Sequence, residues 1–244
     1  MSAKNTSLLL LGHGSSKHPH SSQSVRMHAD LIRKRGVFSE VHCAFLKEEP
    51  LIRDALDGIK DENITIIPDF LAEGYFTQQV IPDLLRLDSR QGNMRYCKPV
   101  GVNPMMQELI RDAAADVLGC WDQREVTLLV IGHGSTKNKN SKQSLLGHLD
   151  ALVSRTDYAQ IADLWLDEAP LVVDWKTIVT QPRVVVVPFL LSDGQHGEWD
   201  IPWMLGIEGD GVHTRTHRLG NYELRVAPAL GTSARFAEAI VQMV

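Results

Sequence analysis

Cysteine is scarce. Cys43, Cys97 and Cys120 stand far apart, and no two of them form a CxxC pair. That excludes a cysteine-rich zinc or iron–sulfur motif and offers no disulfide framework. Positive charge is in deficit as well, with a formal net charge of −5. Nucleic acid demands clustered Lys and Arg, so a nucleic-acid partner is not expected. Long apolar runs are missing too. The run Leu8–Leu11 is flanked by polar residues and is too short for a signal segment or a membrane span. It reads as a buried strand, and a cytoplasmic protein without a membrane partner is expected. Neither GxGxxG nor GxxxxGK[ST] occurs, which disfavours dinucleotide and P-loop nucleotide binding. What remains is ordinary for a globular chain, at 43% hydrophobic and 23% charged residues.

The chain repeats itself. A displacement of 120 positions aligns the two halves without a gap over a long stretch. Gly12-His13-Gly14-Ser15 meets Gly132-His133-Gly134-Ser135. Phe45-Leu46-Lys47-Glu48-Glu49-Pro50 meets Trp165-Leu166-Asp167-Glu168-Ala169-Pro170. Pro68, Leu71, Gly74, Ile81 and Pro82 meet Pro188, Leu191, Gly194, Ile201 and Pro202. Beyond Pro202 the register slips, because the second half inserts a Gly-rich stretch, 206–221, that reads as a loop. Each half is long enough for a small domain. The expected division is 1–120 and 121–244, with the halves packed about a pseudo-twofold axis like a fused homodimer. Such a protein would work as a monomer or a homodimer.

Each half alternates short apolar runs with amphipathic stretches. The predicted strands are Ser7–Leu11, Val41–Phe45, Ile64–Pro68 and Arg95–Val100 in the first half. In the second they are Val126–Ile131, Ile161–Leu166, Val184–Phe189 and Leu224–Ala227. This pattern implies an α/β fold, two similar doubly wound parallel-sheet domains. Ligands of such sheets bind at the carboxyl ends of the strands. Gly-His-Gly-Ser follows strand one in both halves, so His13 and His133 fall at that end. The glycines permit a tight turn and close ligand approach. Ser15 or Ser16, and Ser135 or Thr136, are candidate helix caps.

A second motif follows strand three of the second half: Ser192-Asp-Gly-Gln-His196-Gly-Glu-Trp-Asp-Ile-Pro202. It reads as a Gly-containing turn presenting His196, with a helix starting near Ile201-Pro202. Two histidines from different strand ends suit a divalent metal. Glu198 and Asp200 are read as acids that cap the helix and solubilise the loop. The first half carries Phe76 in place of His196, so it cannot hold a metal alone. Asp167 and Glu168 end strand two. Glu168 is the stronger carboxylate candidate, because its counterpart Glu48 is also Glu, whereas Asp167 faces Lys47. His28 and His148 read as helix packing. His213 and His217 lie in the inserted loop and lack a third ligand. Lys17 and Lys137, with Arg26, Lys139 and Lys142 nearby, give local positive charge suited to a polycarboxylate substrate.

These paired motifs in fixed order resemble the CbiX/SirB-type sirohydrochlorin chelatases, and both halves match the unit. The resemblance implies two similar α/β domains with a cleft between them, and insertion of Co²⁺, or next Fe²⁺, into sirohydrochlorin. The metal is then a substrate, and no tightly bound cofactor is expected. The partner is a tetrapyrrole. The family's metal-binding and catalytic histidines carry over onto His133 and His196, with Glu168 as the assisting carboxylate. His13, Ser15, Ser135 and Lys137 are the substrate-contacting candidates. Other readings stay open. A metal or tetrapyrrole carrier on the same fold is one. A phosphohistidine enzyme is disfavoured, since Gly12 and Gly132 stand where Arg usually precedes the histidine.

Overall fold

Leu8, Leu9, Leu10 and Leu11 have no exposed surface. Side chains alternate across a strand, so an uninterrupted apolar run fits only a strand covered on both faces. Each such leucine contributes roughly 1.5–3 kcal/mol by its burial. The run forms the middle of strand β1 (Thr6–Gly12). Its counterpart Leu128–Ile131 is equally buried within β5 (Val126–Gly132). The computed structural model of the chain describes residues 5–16, 22–89, 92–135 and 140–244.

Two units emerge, Met1–Asn103 with Ala234–Val244, and Pro104–Ser233. In the first, β1 lies between β2 (Val41–Phe45) and β3 (Asn63–Pro68), and β4 (Asn93–Tyr96) adds an edge. All pairings are parallel, in the order β2-β1-β3-β4. Helix α1 (Gln23–Arg35) packs on this sheet, and α2 (Ile81–Leu85) follows β3. Helix α3 (Met105–Leu118) opens the second unit and packs on α4 (Asn140–Val153). The sheet there runs β6-β5-β7-β9-β8, with β6 (Gln160–Trp165), β7 (Arg183–Phe189), β8 (His217–Leu219) and β9 (Tyr222–Val226). Helices α5 (Trp175–Ile178) and α6 (Ile201–Leu205) complete that unit. The last helix, α7 (Phe236–Val241), packs on α1 of the first unit. Both units are parallel-sheet α/β, as the alternating pattern predicts.

Three local expectations need correction. The fourth strand of the first half is Asn93–Tyr96, not Arg95–Val100. Pro99 interrupts the run, and Val100 begins a tight 3₁₀ turn instead. The inserted stretch is not wholly loop either. Its end forms β8, antiparallel to β9. Gly220 sits at φ +66°, which suits the first position of a two-residue hairpin turn closed by Asn221. Finally, the helix after β7 is already under way at Gly194, well before Ile201. His196–Asp200 is a π-helical turn that runs into α6, and Phe76–Val80 is its equivalent before α2. The Ile201 N–H donates to the His196 carbonyl, five residues back. Pro202 has no N–H to offer Glu198, so the usual α-helical bond is not available there, and the wider turn stands beside it.

Candidate metal site

The second unit brings His133 and His196 together. His133 leaves the end of β5, and His196 opens the π turn after β7, the neighbouring strand. Their ring centroids are 5.0 Å apart and the rings are perpendicular. Both are about half exposed, 48% for His133 and 45% for His196, so an ion from solvent reaches them. The Nδ1–H of His196 donates to the Asp200 carboxylate at 2.7 Å. Nδ1 of His133 lies 3.2 Å from the Gly134 carbonyl and 3.4 Å from the Asp167 carboxylate. A proton held on Nδ1 leaves the Nε2 lone pair free for a metal, and a carboxylate beside Nδ1 fixes that tautomer and the orientation of the ring.

Asp167 and Asp200 are thus the carboxylates in contact with the histidine rings. The sequence reads Asp200 as a capping acid, whereas its carboxylate accepts from His196. Its spacing of four from His196 is the signal that points to it, because residues four apart on a helix are neighbours. The match of Glu168 to Glu48 ranks it above Asp167 in the sequence. The structure places Glu168 elsewhere: its Oε1 accepts from the Ser135 N–H at 3.0 Å, behind the turn that presents His133. A Cβ on Gly134 would lie 2.9 Å from Glu168, and φ there is +76°. Glycine is therefore required at that point of the turn on both counts.

The first unit repeats this scaffold without the ligands. Glu48 accepts from the Ser15 N–H at 3.0 Å, and Gly14 takes φ +64°. Burial pushes the Glu48 carboxyl up. Hydrogen bonds from the Ser22 hydroxyl, the Ser15 N–H and Arg26 outweigh that and hold it below its usual range. The His13 Nδ1–H donates to the Gly14 carbonyl at 2.9 Å, and the ring meets Phe76 edge-on at 5.4 Å and 83°. The ring-on-ring arrangement of the second unit persists with Phe76 in the place of His196. Lys47 stands at the position of Asp167, and Val80 at that of Asp200. Each of these exchanges removes an imidazole or a carboxylate, and of the set only His13 is retained.

One exchange between the units preserves its role. In the first, Arg26 donates to the Glu49 carbonyl at 2.9 Å and stacks over Phe45 at 4.6 Å. In the second, Leu146 occupies the Arg26 position. Lys142, one helical turn earlier, donates to the Ala169 carbonyl at 2.7 Å and lies 5.2 Å from the Trp165 ring centre. These cations therefore pin the loop after strand two; Arg26 also ion-pairs with Glu48, at 2.9 Å.

Ser15 and Ser135 use their backbone N–H groups on those glutamates. The cap position of α1 falls to Ser22 and not to Ser15 or Ser16, since α1 begins at Gln23. Lys137, with Lys17, Lys139, Thr136, His18 and His20, lies outside the described residues. His28 is fully buried and its Nδ1–H donates to Asp69 at 2.7 Å, while its ring stacks on Phe236. His148 is buried beside Phe189, and the Nε2–H of His217 donates to the Val212 carbonyl at 2.8 Å. His213 joins the turn before His196, 3.7 Å from Asp193, which in turn accepts from the Ala229 N–H. Among the described residues, no group of three or more His, Cys, Asp or Glu side chains converges as a metal cage. No helix among them is long and apolar enough to cross a membrane.

Two accessible imidazoles at the strand ends of a parallel-sheet α/β unit, each with a carboxylate near its Nδ1, are side chains of the type that divalent cations take as donors. The chain belongs to the CbiX family, whose model matches residues 7–117 and again 127–244. It is 35% identical over 218 residues to a probable sirohydrochlorin cobaltochelatase of Halobacterium salinarum, a match covering 80% of this chain and 75% of the relative. Among solved structures, a multi-domain Deinococcus radiodurans protein described as similar to chelatases aligns with TM-score 0.81 and 26% identity. The alignment covers 99% of this chain and 55% of that one. SirB of Bacillus subtilis, solved with Fe³⁺, shares the fold at TM-score 0.76 and 17% identity, covering 98% of this chain and 93% of that one.

Proposed function

We propose that this protein inserts a divalent metal, Co²⁺ foremost and Fe²⁺ next, into sirohydrochlorin. The observation that carries the reading is the perpendicular His133–His196 pair, with a carboxylate within 3.4 Å of Nδ1 of each ring. The metal is a substrate. It binds Nε2 of both rings, and its remaining positions stay open to the macrocycle nitrogens. The name of the Halobacterium salinarum relative supports the substrate and favours cobalt.

Insertion exchanges one M²⁺ for the two N–H protons of the macrocycle. Those protons need acceptors near neutral pH. Imidazole suits that task once it has released the metal, and Asp167 and Asp200 stabilise the imidazolium that forms. Glu168 serves as a positioning residue. Its bond to Ser135 sets the turn from which His133 projects, and it keeps its carboxylate occupied. No nucleotide enters this scheme.

The test is direct. Purified protein is incubated with sirohydrochlorin and Co²⁺, Fe²⁺ or Ni²⁺ while the macrocycle absorbance is followed. Insertion above the uncatalysed rate is expected, and it should collapse in His133→Ala and His196→Ala. Equal rates in wild type and both variants would overturn the site. Tight metal binding without any acceleration would make the protein a carrier.

A further inference from the structure

We infer that Trp199 and Trp203 form an aromatic platform that holds the flat face of the tetrapyrrole next to the metal. The inference rests on the proposed chelatase reading and adds to it the residues that position the macrocycle. Both indoles are strongly exposed, 72% for Trp199 and 74% for Trp203. Together the two residues leave on the order of 350 Å² of surface in water, much of it apolar, which is a large patch for a short helical segment.

Their place in the turn selects the occupant. Trp199 lies in the same π turn as His196, and Trp203 follows one turn on, in α6. Gly197, Ile201 and Leu205 are buried and form the core side of this segment. His196 and Asp200 occupy its flank, and Trp199 and Trp203, four residues apart, share the adjoining outer face. A macrocycle extends well beyond the coordination sphere of a metal at its centre. With the metal on His196, part of the ring system must lie over residues next to that histidine. A planar conjugated ligand stacks well on indole, which has the largest π surface among side chains.

The internal repeat supplies an independent control. The positions of Trp199 and Trp203 in the first unit are Gln79 and Asp83. The indole pair therefore occurs only in the unit that keeps both histidines. The first unit does expose Tyr75 and Phe76, but Phe76 fills the ligand position itself against His13.

The chain carries five tryptophans, and Trp121, Trp165 and Trp175 are buried, at 8%, 1% and 2% exposure. The solvent-exposed component of the emission thus reports on Trp199 and Trp203. Full-length protein is titrated with metal-free sirohydrochlorin, and this component should be quenched saturably. Trp199→Ala and Trp203→Ala should each weaken macrocycle binding and raise its KM about tenfold, while Co²⁺ affinity stays at the wild-type value. Trp199→Phe and Trp203→Phe should restore most of the loss, which a merely structural role would not require. Unchanged KM in both Ala variants, with wild-type insertion intact, overturns the platform and leaves the chelatase reading standing. Conversion of a wild-type dimer to a monomer in the Ala variants, with KM unchanged, assigns the indoles to a second copy and also overturns it. No insertion by the wild type overturns both.

Discussion

Replacing His196 by phenylalanine rebuilds in the second unit what the first unit already contains. Phe76 meets His13 edge-on at 5.4 Å, and His196 meets His133 edge-on at 5.0 Å. The scaffold thus accepts either ring at this position, and His196 is itself half exposed. Stability should change by less than about 1 kcal/mol, the range of a surface substitution that keeps an aromatic pair. Metal affinity should not survive. Losing only a carboxylate behind a ligating histidine costs about 10–100-fold. Losing one of two imidazole ligands must cost more, so a drop beyond about 100-fold, or about 2.7 kcal/mol, is expected. Calorimetric titration with Co²⁺ measures the affinity, and urea unfolding of the same sample measures the stability. The reverse change, Phe76→His, should not create a second site of equal strength. Lys47 and Val80 still stand where Asp167 and Asp200 would be, and a lysine cation opposes a bound metal. Co²⁺ affinity within threefold of wild type in H196F would refute the assignment, and a tight second site in F76H would refute the role given to the carboxylates.

Asp200→Asn keeps the shape but removes the charge behind His196. Co²⁺ affinity should fall about 10–100-fold, read by the same titration. Glu48 brings a pH dependence. Its carboxyl is held below the ordinary value of 4.5, so its folded pKa lies under its unfolded one. The stability it contributes is then present above about pH 4.5 and is lost as pH falls through the lower folded value. The stability gap between wild type and Glu48→Gln should therefore shrink in urea titrations taken from about pH 6 to about pH 3, and a constant gap would contradict the linkage. A Cβ on Gly231 would sit 2.3 Å from the Leu191 carbonyl oxygen. Gly231→Ala should cost about 3 kcal/mol or more, because backbone cannot yield as a side chain does. Thermal unfolding of the purified variant checks it.

The sheets were legible because their strands are buried on both faces and read as unbroken apolar runs. Leu8–Leu11 and Val184–Val187 left no other reading. The π turns were not legible. They depend on how Pro82 and Pro202 withhold one donor from a helix that side-chain periodicity describes equally well as starting later. The β8–β9 hairpin was hidden for a different reason: three residues of strand lie in a stretch dominated by glycine, and only Gly220-Asn221 marked the turn.

Comparing the repeats also separates scaffold from chemistry. Positions that agree across the halves are largely braces. Glu48 and Glu168 match because each accepts a serine N–H behind a left-handed glycine. That identity made Glu168 look like the working carboxylate. The positions that differ are the informative ones. Phe76 for His196, Lys47 for Asp167 and Val80 for Asp200 are three departures, and they meet at one place in the second unit. Independent drift would scatter such changes over the surface. Their convergence fits a first unit released from holding a metal, so that Lys47 opposite Asp167 strengthens the case for Asp167. Arg26 and Lys142 show the contrary pattern, in which the residue position moved by a turn and the contact to the loop carbonyl stayed. Where a contact survives a change of residue, the fold requires it. Where the whole group vanishes from one unit and the fold survives, the fold does not require the group, which is what the proposed metal site demands.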